Sequence, residues 1–360
     1  MKKPNSAVVS SIYLPTDVER DQIFYWLKRI SSFTAWNRIF EYYSAWAAAT
    51  ESSVRTADEN GWGSETSLPQ SEYVLILKCL AHCEEGVRRL KSGDKRVFKF
   101  DGNGEFAMAA RMLSHWLQML ERIRLGENAI AKNTPSWPEF HEALVSLGDA
   151  WGECGPYILE PRYIEDAAPV NYGPWLQSQL ITMPFPDTLS KVPDPIENIF
   201  VRTGEVTPCS GIWEPVDLPK SSFFSLLTKA PKPQPPFKII GTMNYLHASS
   251  NAPRAPIEYA DDNIDVDTTW RLIWKDDRYL DGKIPEEESG YCFAKPDSVQ
   301  PLRSPTVVAG DLVWGESGLP VPIGGKWLVE VDLNAYVQLQ KGEKLPLHEG
   351  RVVRWVLSNS

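Results

Sequence analysis

Cys209 stands in GEVTPCSGIWEP (204–215), just ahead of Ser210 and Gly211, where a thiol on a tight turn would be placed to attack a substrate. A nucleophilic cysteine needs a general base and an electropositive setting. Here the flanking charges are Glu205, Glu214 and Asp217, which hold a thiol protonated, and His247 or His348 would have to approach from far along the chain. The spacing G-x3-P-x2-G-x-W of Gly204, Pro208, Gly211 and Trp213 recurs at Gly318, Pro322, Gly325 and Trp327, with Ile323 at the position of Cys209. A site that accepts isoleucine is a packing site. Cys209 therefore reads as a small packed side chain, in a turn where Pro208 and Gly211 deliver Trp213 into a hydrophobic core. No wider repeat surrounds the two segments, so the recurrence itself reads as coincidence.

Cys79, His82 and Cys83 form C-x2-H-C at helical spacing, which sets the three side by side. A structural zinc site takes four ligands, and no second cluster is in view. Core thiols beside a surface histidine are the simpler account. No H-E-x-x-H, P-loop or G-x-S-x-G pattern occurs. No metal and no cofactor is expected.

The acids are the strongest charge feature. Asp261, Asp262, Asp265, Asp267, Asp276, Asp277, Glu286 and Glu287 lie within 258–288, where the only bases are Arg271, Lys275, Arg278 and Lys283. The whole chain carries a formal charge of −10. That disfavours a nucleic-acid binder, which uses a basic stripe to release counterions. It suits a docking face for a basic protein, and a solvated acidic face is the plain alternative. A glycosidase-like hydrolase with two opposed carboxylates stays open as a further alternative.

Stepwise apolar spacing predicts the elements that hold these residues. Thr16 and Glu19 have capping-box spacing. Leu27, Ile30, Phe33, Phe40, Tyr43 and Trp46 then mark one helical face, with Ser31-Ser32 as a break. Tyr73 to Leu90 is a second helix stopped near Gly93, and Phe106 to Ile123 a third stopped near Gly126. A fourth opens at Thr134-Pro135 and contains Trp151. Four amphipathic stripes predict a helical bundle over 1–155.

From there proline is frequent and long periodicity ends. Residues 156–200 read as a loop-rich connection and 201–360 as a β-rich domain, with KAPKPQPP (229–236) as an extended linker. Strand-like runs are FKIIG (237–241), TWRLIW (269–274), TVVAG (306–310), KWLVEV (326–331) and RVVRWVL (351–357), expected in one twisted sheet or partial barrel on the helices. Trp270 and Trp274 fall in the core of that half. The fold class is α+β. Five sparse cysteines, the absence of an apolar leader after MKKPNSAVVSS and the absence of a membrane-length apolar run predict a reduced, cytoplasmic protein with no membrane partner.

GEVTPCSGIWEP (204–215), GTMNYL (241–246) and TTWRLIWKDDRYLDGKIPEEESGYCF (268–293) resemble a family of bacterial immunity proteins from polymorphic-toxin systems, often found beside type VI secretion effectors. Pro208, Ser210, Gly211 and Trp213 carry the first island, and Met243, Asn244 and Tyr245 the second. Trp270, Arg271, Trp274, Asp276, Asp277, Tyr279, Pro285, Glu287 and Glu288 carry the third. The resemblance implies no catalysis, and a cognate protein toxin as the partner, silenced by non-covalent binding. An oligomeric scaffold built through the helical half is the remaining alternative.

Overall fold

The computed structural model describes residues 12–163, 165–195, 197–218, 235–259, 262–294, 314–329, 332–348 and 352–358. The chain divides into two compact units, Met1–Ser298 and Val299–Ser360. The sequence boundaries at 155 and 200 both fall inside the first unit.

Six helices run through 17–182: α1 (Asp17–Ile30), α2 (Phe33–Glu59), α3 (Gln70–Lys91), α4 (Glu105–Arg124), α5 (Trp137–Ile158) and α6 (Pro174–Thr182). The capping box forms: the Glu19 amide donates to Thr16 Oγ1 at 3.3 Å, and the Thr16 amide donates to Glu19 Oε2 at 2.8 Å. Ser31 and Ser32 do separate α1 from α2. The Ser31 hydroxyl bonds back to the Leu27 carbonyl, and the Ser32 hydroxyl accepts from the Ala35 amide and caps α2. Gly93 follows α3 with φ +87°, the left-handed stop that glycine reaches without strain. Thr134-Pro135 does not open α5. The helix begins at Trp137, and the Thr134 hydroxyl instead accepts from the Ser67 amide. The helix α6 lies within the supposed loop connection. It is too short for a visible stripe, although Pro174 sits in its first turn.

The helices close around aromatic side chains. Trp26, Trp36 and Trp46 are fully buried, and Trp36 stacks on Phe106 at 4.0 Å and meets Trp151 edge-on. Such ring pairs add about 0.5–1.5 kcal/mol beyond their buried area. Gly86 makes the α3–α4 approach feasible, since a Cβ there would sit 2.7 Å from the Phe106 ring.

Among the described residues the strands form two sheets and a separate hairpin, not one sheet. In the first unit β1 (Phe200–Arg202), β7 (Thr269–Lys275), β2 (Gly211–Asp217) and β3 (Lys238–Ile239) lie in that order, with β4 (Asn244–Leu246) also on β2. The hairpin pairs β5 (Ala255–Tyr259) with β6 (Asp262–Val266). Alternation assigns the sheet's faces. Ile212, Tyr245 and Ile273 join the helical core. Trp213, Leu246, Trp270 and Leu272 form a second core on the opposite side with Val201 and Ala255. In the second unit the order is β10 (Asp332–Leu339), β9 (Gly325–Val329), β11 (Arg354–Ser358), β8 (Trp314–Glu316). TVVAG (306–310) and most of KAPKPQPP lie outside the described residues.

The recurrence read as coincidence is a structural repeat. Pro215 opposes Trp270 and Trp213 opposes Leu272 across β2 and β7; Val329 opposes Trp355 and Trp327 opposes Leu357 across β9 and β11. On the other flank Trp213 opposes Asn244 and Gly211 opposes Leu246, as Trp327 opposes Val337 and Gly325 opposes Leu339. The turns match bond for bond. Thr203 and Thr268 exchange an amide–carbonyl and an amide–hydroxyl bond, and Ser317 and Val353 do the same. Gly204 donates to Ala252, and Gly318 to Leu345; Thr207 donates to Ser250, and Val321 to Glu343. Gly204 and Gly318 both have φ near +90°, at +83° and +91°. The repeat escapes a sequence comparison because only Gly, Pro and Trp are shared at its turns, while other equivalent positions differ in class, as Glu205 and Leu319 or Ile212 and Lys326 do.

Candidate functional site

The acids of 258–288 separate into two groups. Asp262 and Asp265 lie on β6 and Asp267 just beyond it, all exposed. Asp277, Glu286 and Glu287 are exposed as well. Asp277 pairs with Lys275 at 2.7 Å and Glu287 with Lys28 at 2.7 Å. Asp262, Asp265, Asp267 and Glu286 take part in no ion pair among the described residues. Asp261 lies outside the described residues.

Asp276, expected on the same docking face, is buried instead. Its carboxylate has no exposed surface and accepts from Arg278 at 2.8 Å and from the Tyr245 hydroxyl at 2.9 Å, with Lys95 Nζ 3.3 Å away. Burial alone would raise its pKa. The Arg278 guanidinium, Lys95 and the tyrosine outweigh that and hold it down at about 2. Burial beats the Asp276 charge at Lys95, whose ammonium falls to about 8.

Arg278 also donates to the Lys28 carbonyl at 2.9 Å and to the Ser31 hydroxyl at 2.7 Å. The buried Glu288 carboxylate accepts from the Thr34 amide and hydroxyl and from the Tyr279 hydroxyl. The Trp-Arg-x-x-Trp-x-Asp-Asp-x-Tyr segment thus clamps the end of β7 to the α1–α2 junction. Trp270 is fully buried and Trp274 half-buried against the helices. Pro208 and Gly211 flank the turn into β2, and Trp213 is fully buried beyond it. A Cβ on Gly211 would stand 2.2 Å from the Trp274 carbonyl oxygen.

A cleft of about 300 Å³ is lined by Cys209, His247, Asp276, Asp277 and Lys95, the combination of acids and histidine a hydrolase would want. It does not poise Asp276 as a general acid. A general acid near neutral pH needs a carboxyl with a raised pKa, and Asp276 is depressed. Burial lowers the His247 ring to about 4, and burial raises the Cys209 thiol, with Asp277 adding to it and Lys275 opposing. Cys83 packs in the helical core, Cys79 lies against the Met108 carbonyl, and His82 pairs with Glu105 at 2.7 Å.

Against this geometry the comparisons are informative. Residues 14–169 match the family model described as Immunity protein 71, and residues 193–292 match that described as Immunity protein 72. Together the two ranges cover most of the chain, which belongs to the immunity proteins. Such families act in toxin neutralisation and are generally non-enzymatic. No curated protein and no solved structure matches the chain. The second repeat, 314–358, lies beyond both matched ranges. No helix among the described residues is long and apolar enough to cross a membrane.

Proposed function

We propose that this protein binds a cognate bacterial toxin of the polymorphic or type VI class in the cytoplasm and neutralises it by non-covalent occlusion, without turning over a substrate. The supporting observation is the set of exposed carboxylates Asp262, Asp265, Asp267 and Glu286, which form no ion pair among the described residues. Family membership supplies the class of partner. A toxin that attacks nucleic acid presents a basic cleft, and a surface acid beside it steers encounter and pairs with Lys and Arg.

Asp276 has no part in that face. Asp277 and Glu287, already paired with Lys275 and Lys28, contribute less. The expected result with the toxin encoded by the neighbouring gene is survival on co-expression. Replacing Asp262 and Asp265 together by Lys should slow association several-fold, most visibly at low salt, by surface plasmon resonance. Unchanged association at low salt would remove this face from the proposal.

A further inference from the structure

The two repeats provide an internal control on what the β module requires. In the second repeat the chain passes from Leu345, bonded to Leu319, to Val353, bonded to Ser317, through residues 346–352. In the first, the equivalent passage from Ala252 to Thr268 takes residues 253–267, about twice the length, and the excess is the β5–β6 hairpin. No hairpin lies in that shorter passage among the described residues, so the hairpin is an addition to the module. Additions of this kind on a rigid scaffold are where binding residues collect.

The hairpin is also one-sided. The outer flank of β5 is occupied: the Tyr13 amide donates to the Glu258 carbonyl at 3.0 Å, and the Ala168 amide to the Arg254 carbonyl at 2.9 Å. Along β6 every residue pairs with β5, and among the described residues no other backbone hydrogen bond reaches Asp262–Val266. Among the described residues one side-chain hydrogen bond reaches it, Asn171 Nδ2 donating to Asn263 Oδ1 at 3.1 Å, and Val266 at its end packs on the second core. The strand is exposed from Asp262 to Asp265, and its Ile264 side chain is part of that exposed surface. An open edge of this kind is a template for another strand. Its acids repel a second copy of the same edge and select a basic one.

We infer that the outer edge of β6 is a docking strand, and that its occupant is an extended, Lys- or Arg-bearing segment of the toxin added to the hairpin as a third strand. Main-chain bonds to Asp262–Val266 hold the segment, and Asp262, Asp265 and Asp267 read its charge. This rests on the immunity reading and names the mode of contact.

Hydrogen–deuterium exchange on the full chain tests it. Three states are compared: the protein alone, with the neighbouring-gene toxin, and with a short peptide alternating Lys and Val beside a Glu and Val counterpart. The expected result is loss of deuterium uptake across 262–266 with the toxin and with the Lys peptide, none with the Glu peptide, and loss of both effects in D262K/D265K. Both side chains are exposed, so that variant keeps its fold. A toxin complex that forms and inhibits while 262–266 exchange as in the free protein overturns the docking edge and leaves the immunity reading intact. No complex with the toxin overturns the immunity reading, and the peptide arm then judges the edge alone: no protection by the Lys peptide rejects it.

Discussion

Asp276 shows how one residue can share a motif with surface acids and do the opposite work. Its neighbour Asp277 faces water and meets Lys275, whereas Asp276 closes a buried network of Arg278, Lys95 and Tyr245. Removing one partner of such a group leaves the others charged and unpaired, at a cost of about 3–5 kcal/mol. D276N should therefore lower the urea midpoint sharply at neutral pH, and a change below about 1 kcal/mol would contradict the network. The pH dependence has a fixed sign. The folded pKa of Asp276 lies below its ordinary 3.8, so its contribution is complete above that value. It is lost as pH falls from there toward about 2. The wild-type protein should lose stability over that window more steeply than D276N, measured by acid titration of the circular dichroism signal. Nothing local in KDDRY marks which aspartate is buried, because Lys95 and Tyr245 arrive from distant parts of the chain.

At the scale of elements, the helices were legible wherever a stripe was long and a stop was chemical: the Thr16 box, the Ser31-Ser32 break, Gly93 and Gly126. The misses have separate causes. The helix α6 has only nine residues and packs through Leu176 and Leu180, too few positions to show a period. The strands β1 and β4 have three residues each, and β2 contains Pro215, which argues against a strand when read alone. The two Gly–Pro–Gly–Trp segments were visible, but their equivalence lies in hydrogen-bond register, which no single sequence displays. That equivalence makes a comparative prediction. A Cβ at Gly211 meets the Trp274 carbonyl oxygen at 2.2 Å, whereas at Gly325 it meets the movable Leu357 Cδ1 at 2.6 Å. G211A should destabilise by about 1–3 kcal/mol and G325A by less, read from thermal unfolding. Equal effects would contradict the difference between a fixed carbonyl and a movable side chain at the two glycines.

For the molecule as a whole, the family matches give toxin neutralisation in general, and the charge of −10 suits a basic partner. The surface acids were legible as a composition. Their division into an open hairpin and a buried clamp was not, because it depends on where β7 ends against the α1–α2 junction. On the proposed function, protection comes from occupying the toxin. The direct measurement is titration calorimetry of the purified protein against the neighbouring-gene toxin, with toxin activity followed in the same mixtures. A saturable complex, in which inhibition tracks occupancy and the toxin is recovered chemically intact and active on dissociation, is the predicted result. Protection without a complex, or a toxin released with altered covalent structure, would contradict it.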